Sequence, residues 1–148
     1  MPLLARLSQE IRAATLARDA DRLSTLRLLK SAIGYIQIER RTEALSDSEI
    51  VVIIQKEIKK RRDAAEQFEK GGRAELAAKE KREVTVLESF LPRPLAAGEL
   101  EKLVREAIAE TGATSRKQMG QVIKAAQAKA AGRAEGKVIS ELVAKLIP

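Results

Sequence analysis

All four prolines lie at positions 2, 92, 94 and 148, so residues 3–91 and 95–147 are free of the residue least compatible with a helix interior. Within both stretches the apolar residues recur every three or four positions instead of alternating, which is the period of a helix face and not of a strand. The chain is therefore expected to be all-α. Leu4, Leu7, Ile11 and Ala14 make the stripe of a first helix. After the polar break Asp19-Ala20-Asp21, where either aspartate can cap, Leu26, Leu29, Ile33 and Ile36 make the stripe of a second, which ends near Arg40-Arg41. Ser46-Asp47-Ser48-Glu49 has the form of a capping box, with Ser46 accepting from the backbone and Glu49 reaching back, and it opens a third helix. That helix turns Ile50, Ile54, Ile58, Ala65 and Phe68 inward, and its basic run Lys59-Lys60-Arg61-Arg62 reads as a solvated rim. Gly71-Gly72 stops it, and a fourth helix from Arg73 carries Leu76, Val84, Leu87 and Leu91 on one side, packed antiparallel to the third.

Pro92-Arg93-Pro94 breaks this pattern, because each ring fixes its own φ and disfavours helical geometry in the residue before it. The expected division is an N-terminal helical bundle of about four helices over 1–92 and a small three-helix domain over 93–148. The helices of the second part are placed at 97–111, 115–131 and 135–147, with Gly112 and Gly132 as natural C-terminal stops. So small a core is marginal on its own, and docking on the first part or on a partner would help it.

Composition removes many chemistries. There is no histidine and no cysteine, which excludes imidazole and thiol nucleophiles, Ser-His-Asp triads and zinc sites built from Cys or His. Without disulfides, and with Met-Pro-Leu-Leu-Ala-Arg at the start instead of a secretory apolar stretch, a cytoplasmic location is expected. The longest aliphatic run, Ile50–Ile54, falls well short of the roughly 20 residues a spanning helix needs, so no membrane association is expected. The only aromatic residues are Tyr35, Phe68 and Phe90, too few to stack rows of unpaired bases. Gly132-Arg133-Ala134-Glu135-Gly136 has neither a preceding strand nor a following G-K-[ST] and reads as a turn, not a nucleotide loop. Carboxylates at helical spacing, Glu80 with Glu83 and Glu66 with Glu69, lie among Lys and Arg and read as surface ion pairs instead of a catalytic dyad.

The charge is unevenly placed. Of the net +7, residues from Gly112 onward hold seven basic side chains (Arg116, Lys117, Lys124, Lys129, Arg133, Lys137, Lys145) against Glu135 and Glu141. That local excess of +5 is met first by ordinary solvent-facing lysines and arginines, and second by a polyanionic partner. Geometry favours the second in one respect. Lys117, Gln121 and Lys124 stand at i, i+4 and i+7, on the side opposite Met119, Val122, Ile123 and Ala126. Arg116 and Lys117 also fall in a first helical turn, and Arg133 and Lys137 flank another, where free backbone N–H groups favour phosphate. The candidate RNA-binding set is thus Arg116, Lys117, Gln121, Lys124, Lys129, Arg133 and Lys137. No residue is assigned to catalysis, to a metal or to a cofactor.

Several motifs resemble the YqeY family of small bacterial proteins. They are Arg22-Leu23-Ser24-Thr25-Leu26-Arg27-Leu28-Leu29, Gln55-Lys56-Glu57-Ile58-Lys59-Lys60-Arg61-Arg62-Asp63, Glu66-Gln67-Phe68, Phe90-Leu91-Pro92, Met119-Gly120-Gln121-Val122 and Gly132-Arg133-Ala134-Glu135-Gly136-Lys137-Val138. The resemblance implies a C-terminal module similar to the tail of the B subunit (GatB) of the glutamine-dependent aspartyl/glutamyl-tRNA amidotransferase, a three-helix unit that contacts tRNA. It further implies a tRNA-binding accessory role, in which carbon-nitrogen ligation with glutamine as amido donor needs a partner, an amidotransferase subunit or other protein, to supply ammonia and activation. A role as a protein-docking module, with the basic tail incidental, is the other expectation. Two departures stand out: Glu135 replaces a frequent Asp, weakening a cap, and Leu95-Ala96-Ala97-Gly98 replaces a Ser-initiated acidic helix start.

Overall fold

The computed structural model describes residues 1–148 and contains seven α-helices, one short 3₁₀ turn and no strand. The chain divides into two compact units, Met1–Leu91 and Pro92–Pro148. The first holds α1 (Leu3–Ala17), α2 (Ala20–Glu39), α3 (Asp47–Lys70) and α4 (Ala74–Glu88). The second holds α5 (Ala97–Thr111), the 3₁₀ turn Arg116–Gln118, α6 (Met119–Ala130) and α7 (Gly136–Leu146).

Local chemistry accounts for the helix starts in the first unit. The Asp19 carboxylate accepts the Arg22 N–H at 3.2 Å and caps α2, and the Ser46 hydroxyl accepts the Glu49 N–H at 3.2 Å and caps α3. Only this half of the expected box forms as read. The Glu49 carboxylate lies 3.4 Å from the Arg40 guanidinium, because the end of α2 brings a cation within reach. Asp47 Oδ1 accepts the Leu3 N–H at 3.1 Å, tying the first turn of α1 to that of α3. The core is drawn from all four helices, with Leu26, Leu29, Ile33, Ile54 and Leu87 almost completely enclosed. Each such side chain contributes about 1.5–3 kcal/mol over its exposed state. Arg6 closes one edge, its guanidinium 4.8 Å from the centre of the buried Phe90 ring and donating to the Ser89 carbonyl at 2.6 Å.

α3 outruns this core. Its 24 residues reach about 36 Å, but the central cluster takes only Ile50, Ile53, Ile54 and Ile58 from it, and Val84, Leu87 and Phe90 from the segment of α4 and its end. Beyond, the buried positions of the α3–α4 hairpin are Ala65, Ala77 and one cation, Arg61. Arg61 Nη1 donates to Glu57 Oε2 at 2.8 Å and to the Glu57 carbonyl at 3.2 Å, while Nε donates to Glu83 Oε2 at 3.1 Å. Arg62–Glu88 (2.7 Å) and Lys81–Glu69 continue the antiparallel pairing on the outside. The basic run is therefore not all rim: Lys59, Lys60 and Arg62 are exposed, whereas Arg61 faces α4. Leu76, expected inside, is 37% exposed, since it stands near the hairpin tip, past the end of the apolar cluster, and the small Ala77 takes the inward position. Phe68 is only half-buried for the same reason.

The second unit encloses Val104, Ala107, Val122, Ala126 and Val143, with Leu100, Ala130 and Ile139 around them. Gly112 ends α5 at φ 66°, and α6 ends on Ala131 and Gly132, both left-handed at φ 48° and 81°. Neither Ala96 nor Glu135 makes a capping side-chain bond at the start of α5 or α7. The helix expected over 115–131 is instead a tight 3₁₀ turn followed by α6, its loop folded by the Gln118 Oε1, which accepts the Thr114 N–H at 2.8 Å.

Burial alone would raise the pKa of Glu57, but hydrogen bonds from Arg61 and Lys60 outweigh it and hold the carboxyl below the ordinary glutamate value. Glu80 moves the other way, raised by burial and by the neighbouring Glu83. Glu57 therefore adds stability that is complete above the unfolded glutamate pKa and lost as pH falls through its lowered value; Glu80 subtracts stability at neutral pH and stops doing so as it protonates. Replacing Arg61 by Met leaves two half-enclosed carboxylates facing each other and should cost on the order of 3 kcal/mol in urea unfolding at pH 7, a deficit that shrinks in acid. Glu80→Gln should raise the urea midpoint at pH 7, and the gain should vanish below the range of glutamate titration.

Candidate nucleic-acid interface

The seven candidate side chains fall into two groups. Lys129 reaches across to Glu110, Nζ to Oε1 at 2.6 Å, and this hydrogen bond raises its pKa above the ordinary lysine value. Arg133 donates from Nε to the Arg93 carbonyl at 2.9 Å, stands 3.8 Å from the Glu99 carboxylate, and offers its own carbonyl to the Leu95 N–H at 2.8 Å. It is a strap that fastens residues 93–95 to the α6–α7 turn. Arg116 donates from Nη2 to the Ala144 carbonyl at 3.3 Å, next to the negative end of α7. These three cations have duties within the unit.

Lys117, Gln121, Lys124 and Lys137 are exposed and make no hydrogen bond or ion pair within the chain. Gln121 and Lys124 lie on the outer side of α6, opposite the buried Val122 and Ala126, and Lys117 leads into them from the 3₁₀ turn. Two observations set the register of α7 beside them. Arg116 touches Ala144, and Gln127 Nε2 lies 3.3 Å from where a Cβ on Gly136 would stand. α6 and α7 are thus antiparallel, with the start of α7 at the end of α6. The residues of α7 that follow this edge at four-residue steps, Gly136, Ser140 and Ala144, are all small, so no bulky side chain of α7 stands along the valley between the helices. Lys137 stands at one end of it and Lys117 at the other. Lys145, in the last turn of α7, is exposed and has no partner within the chain. Glu141 is the single carboxylate within α7.

Of the paired carboxylates considered as acid-base groups, Glu83 is held by Arg61 (3.1 Å), Glu66 by Lys70 (3.0 Å) and Glu69 by Lys81, while Glu80 stands beside Glu83 with its pKa raised by burial and by that neighbour. No helix is long and apolar enough to cross a membrane.

Fold and surface together define a two-unit, all-helical protein whose second unit carries the basic face. Residues 4–147 match the YqeY-like protein family, and the chain belongs to it. An uncharacterized protein of Schizosaccharomyces pombe is 37% identical over 76 residues, 51% of this chain and 61% of that protein. Proteins called altered inheritance of mitochondria protein 41, mitochondrial, are 31% identical over 97 residues in Eremothecium gossypii (65% of this chain, 53% of that protein) and 31% over 87 residues in Kluyveromyces lactis (59% and 47%). The matched segments span about half to three-fifths of these curated relatives.

The division of labour among the cations is open to test. Arg133→Ala removes the side-chain bonds of the strap and should lower the stability of the protein by about 1–2 kcal/mol, whereas Lys124→Ala should stay within about 0.5 kcal/mol of the parent, both read by thermal unfolding.

Proposed function

We propose that this protein is an RNA-binding accessory protein related to the tRNA-dependent amidotransferases, and that its C-terminal unit grips structured RNA, tRNA foremost, through phosphates. The observation that carries this reading is the set Lys117, Gln121, Lys124 and Lys137, left without partners in the chain while Lys129 and Arg133 are paired. Three ammonium groups and an amide on the outer side of α6 and at the start of α7 suit a sugar-phosphate backbone, which asks for charge instead of a deep pocket. The absence of Trp and the scarcity of other aromatics direct the reading to shape and phosphate, not to stacked bases. The family resemblance supplies tRNA as the first candidate.

Gel-shift titration with total tRNA should show binding at low salt that weakens steeply, with a log–log slope near −3 for about three phosphate contacts on duplex. Lys117→Glu, Lys124→Glu and Lys137→Glu together should abolish the shift without changing the unfolding temperature by more than a few degrees, and Lys129→Ala should weaken it far less. Absence of any shift at low salt would overturn the reading.

Amide transfer, on this view, belongs to a partner that supplies ammonia and activates the charged tRNA. Incubation with glutamine, ATP and glutamate-charged tRNA specific for glutamine should yield glutaminyl-tRNA only when an amidotransferase is added, measured by analysis of the esterified amino acid.

A further inference from the structure

The α3–α4 hairpin has a base and a limb. The base is anchored by Ile50, Ile54 and Ile58 of α3 and by Val84 and Leu87 of α4, all part of the cluster shared with α1 and α2. Between Ile58 and Val84 the only buried side chains are Arg61, Ala65 and Ala77. Phe68 is half-buried and Leu76 is 37% exposed, so the limb, residues 62–82, fully encloses only two methyl groups. Its outer ion pairs, Lys70–Glu66 and Lys81–Glu69, are half-exposed or more on both sides and add little. An open notch of about 270 Å³ runs along it, lined by Ala65 and Val84 among charged side chains. At the tip Gly71 and Gly72 turn the chain, Gly72 at φ 73°, and α4 starts on Arg73 without a side-chain cap.

We infer that the limb opens as a unit while the base stays folded, and that Arg61 is where the opening stops. Parting the limb exposes two small buried side chains and part of a phenylalanine, whereas parting the base exposes isoleucines and a leucine from a closed core. Once apart, neither helical stretch of the limb, 62–70 or 74–82, keeps a packed face, and stretches of this length unwind readily in water. Arg61 sets the border. It is bonded to Glu83 across the hairpin and to Glu57 behind it, so separating the helices there would strand a buried cation and its carboxylates. The limb lies in the first unit, and its opening is independent of the RNA reading of the second.

Hydrogen exchange of the full chain, followed residue by residue by NMR in rising urea, tests this. Limb amides should exchange at least roughly tenfold faster than the slowest amides of residues 50–58, and with a shallower urea dependence, because their opening exposes only part of the surface. Ile54→Val should speed the slowest amides severalfold and leave the limb within about twofold of the parent, since the base is intact whether the limb is closed or open. Ala77→Gly should speed the limb amides roughly fivefold. Limb amides as slow as those of the base overturn the proposal, as do equal effects of Ile54→Val on both or unchanged limb exchange in Ala77→Gly. A border more than one helical turn from Arg61 and Glu83 overturns the role of Arg61 as the stop.

Discussion

The geometry of the first unit turns on one buried guanidinium. Arg61 sits where the isoleucine seam of α3 ends, and its bonds to Glu57 on its own helix and to Glu83 on α4 carry the pairing of the two helices past the apolar core. A buried ion pair contributes little net stability compared with a well-packed apolar contact, but it tolerates few alternative arrangements, since an unmatched carboxylate there is costly. Sliding α4 along α3 by one turn would separate Arg61 from Glu83 and leave both half-enclosed. The clamp thereby sets register, while Ile54, Leu26 and Leu87 supply most of the cohesion. Glu80 adds a second carboxylate beside Glu83 and is held against its own preference, so the cluster has more acid than its one buried cation satisfies.

Much of the helical layout was legible from spacing alone, because three-and-four periodicity reports directly on which side of a helix meets a core. The Ser46 cap was legible too, since it acts within three residues of itself, and the α2 cap was narrowed to Asp19 or Asp21, of which Asp19 caps. Legibility stopped where the outcome depended on a distant segment. Successive positions in Lys59-Lys60-Arg61-Arg62 point about 100° apart, but nothing local says that α4 would cover only the third. Leu76 fits an apolar stripe, yet the stripe continues past the end of the material that could cover it. On the second unit the outward positions of Gln121 and Lys124 followed from helical period, whereas the α6–α7 register needed the Arg116–Ala144 and Gln127–Gly136 approaches.

Charge counting along the chain likewise missed what the fold neutralises. Lys129 and Arg133 contribute to the excess after Gly112, but each has a carboxylate within the same unit, Glu110 and Glu99 respectively, lying before that point in the chain. A window drawn along the sequence therefore overstates the free cation of the folded surface. Lys117, Lys124, Lys137 and Lys145 are what the fold leaves uncommitted.

The Arg133 strap has a mechanical consequence. The chain enters the second unit through Pro92-Arg93-Pro94, where two residues lack an N–H and α5 begins without a side-chain cap. Arg93 and Leu95 are both bonded to Arg133, so tension along this entry is passed to the α6–α7 turn before it reaches the first turn of α5. The poorly capped helix is shielded from load, and the turn that takes the strain is the one whose left-handed Ala131 and Gly132 already hold a tightly bent backbone.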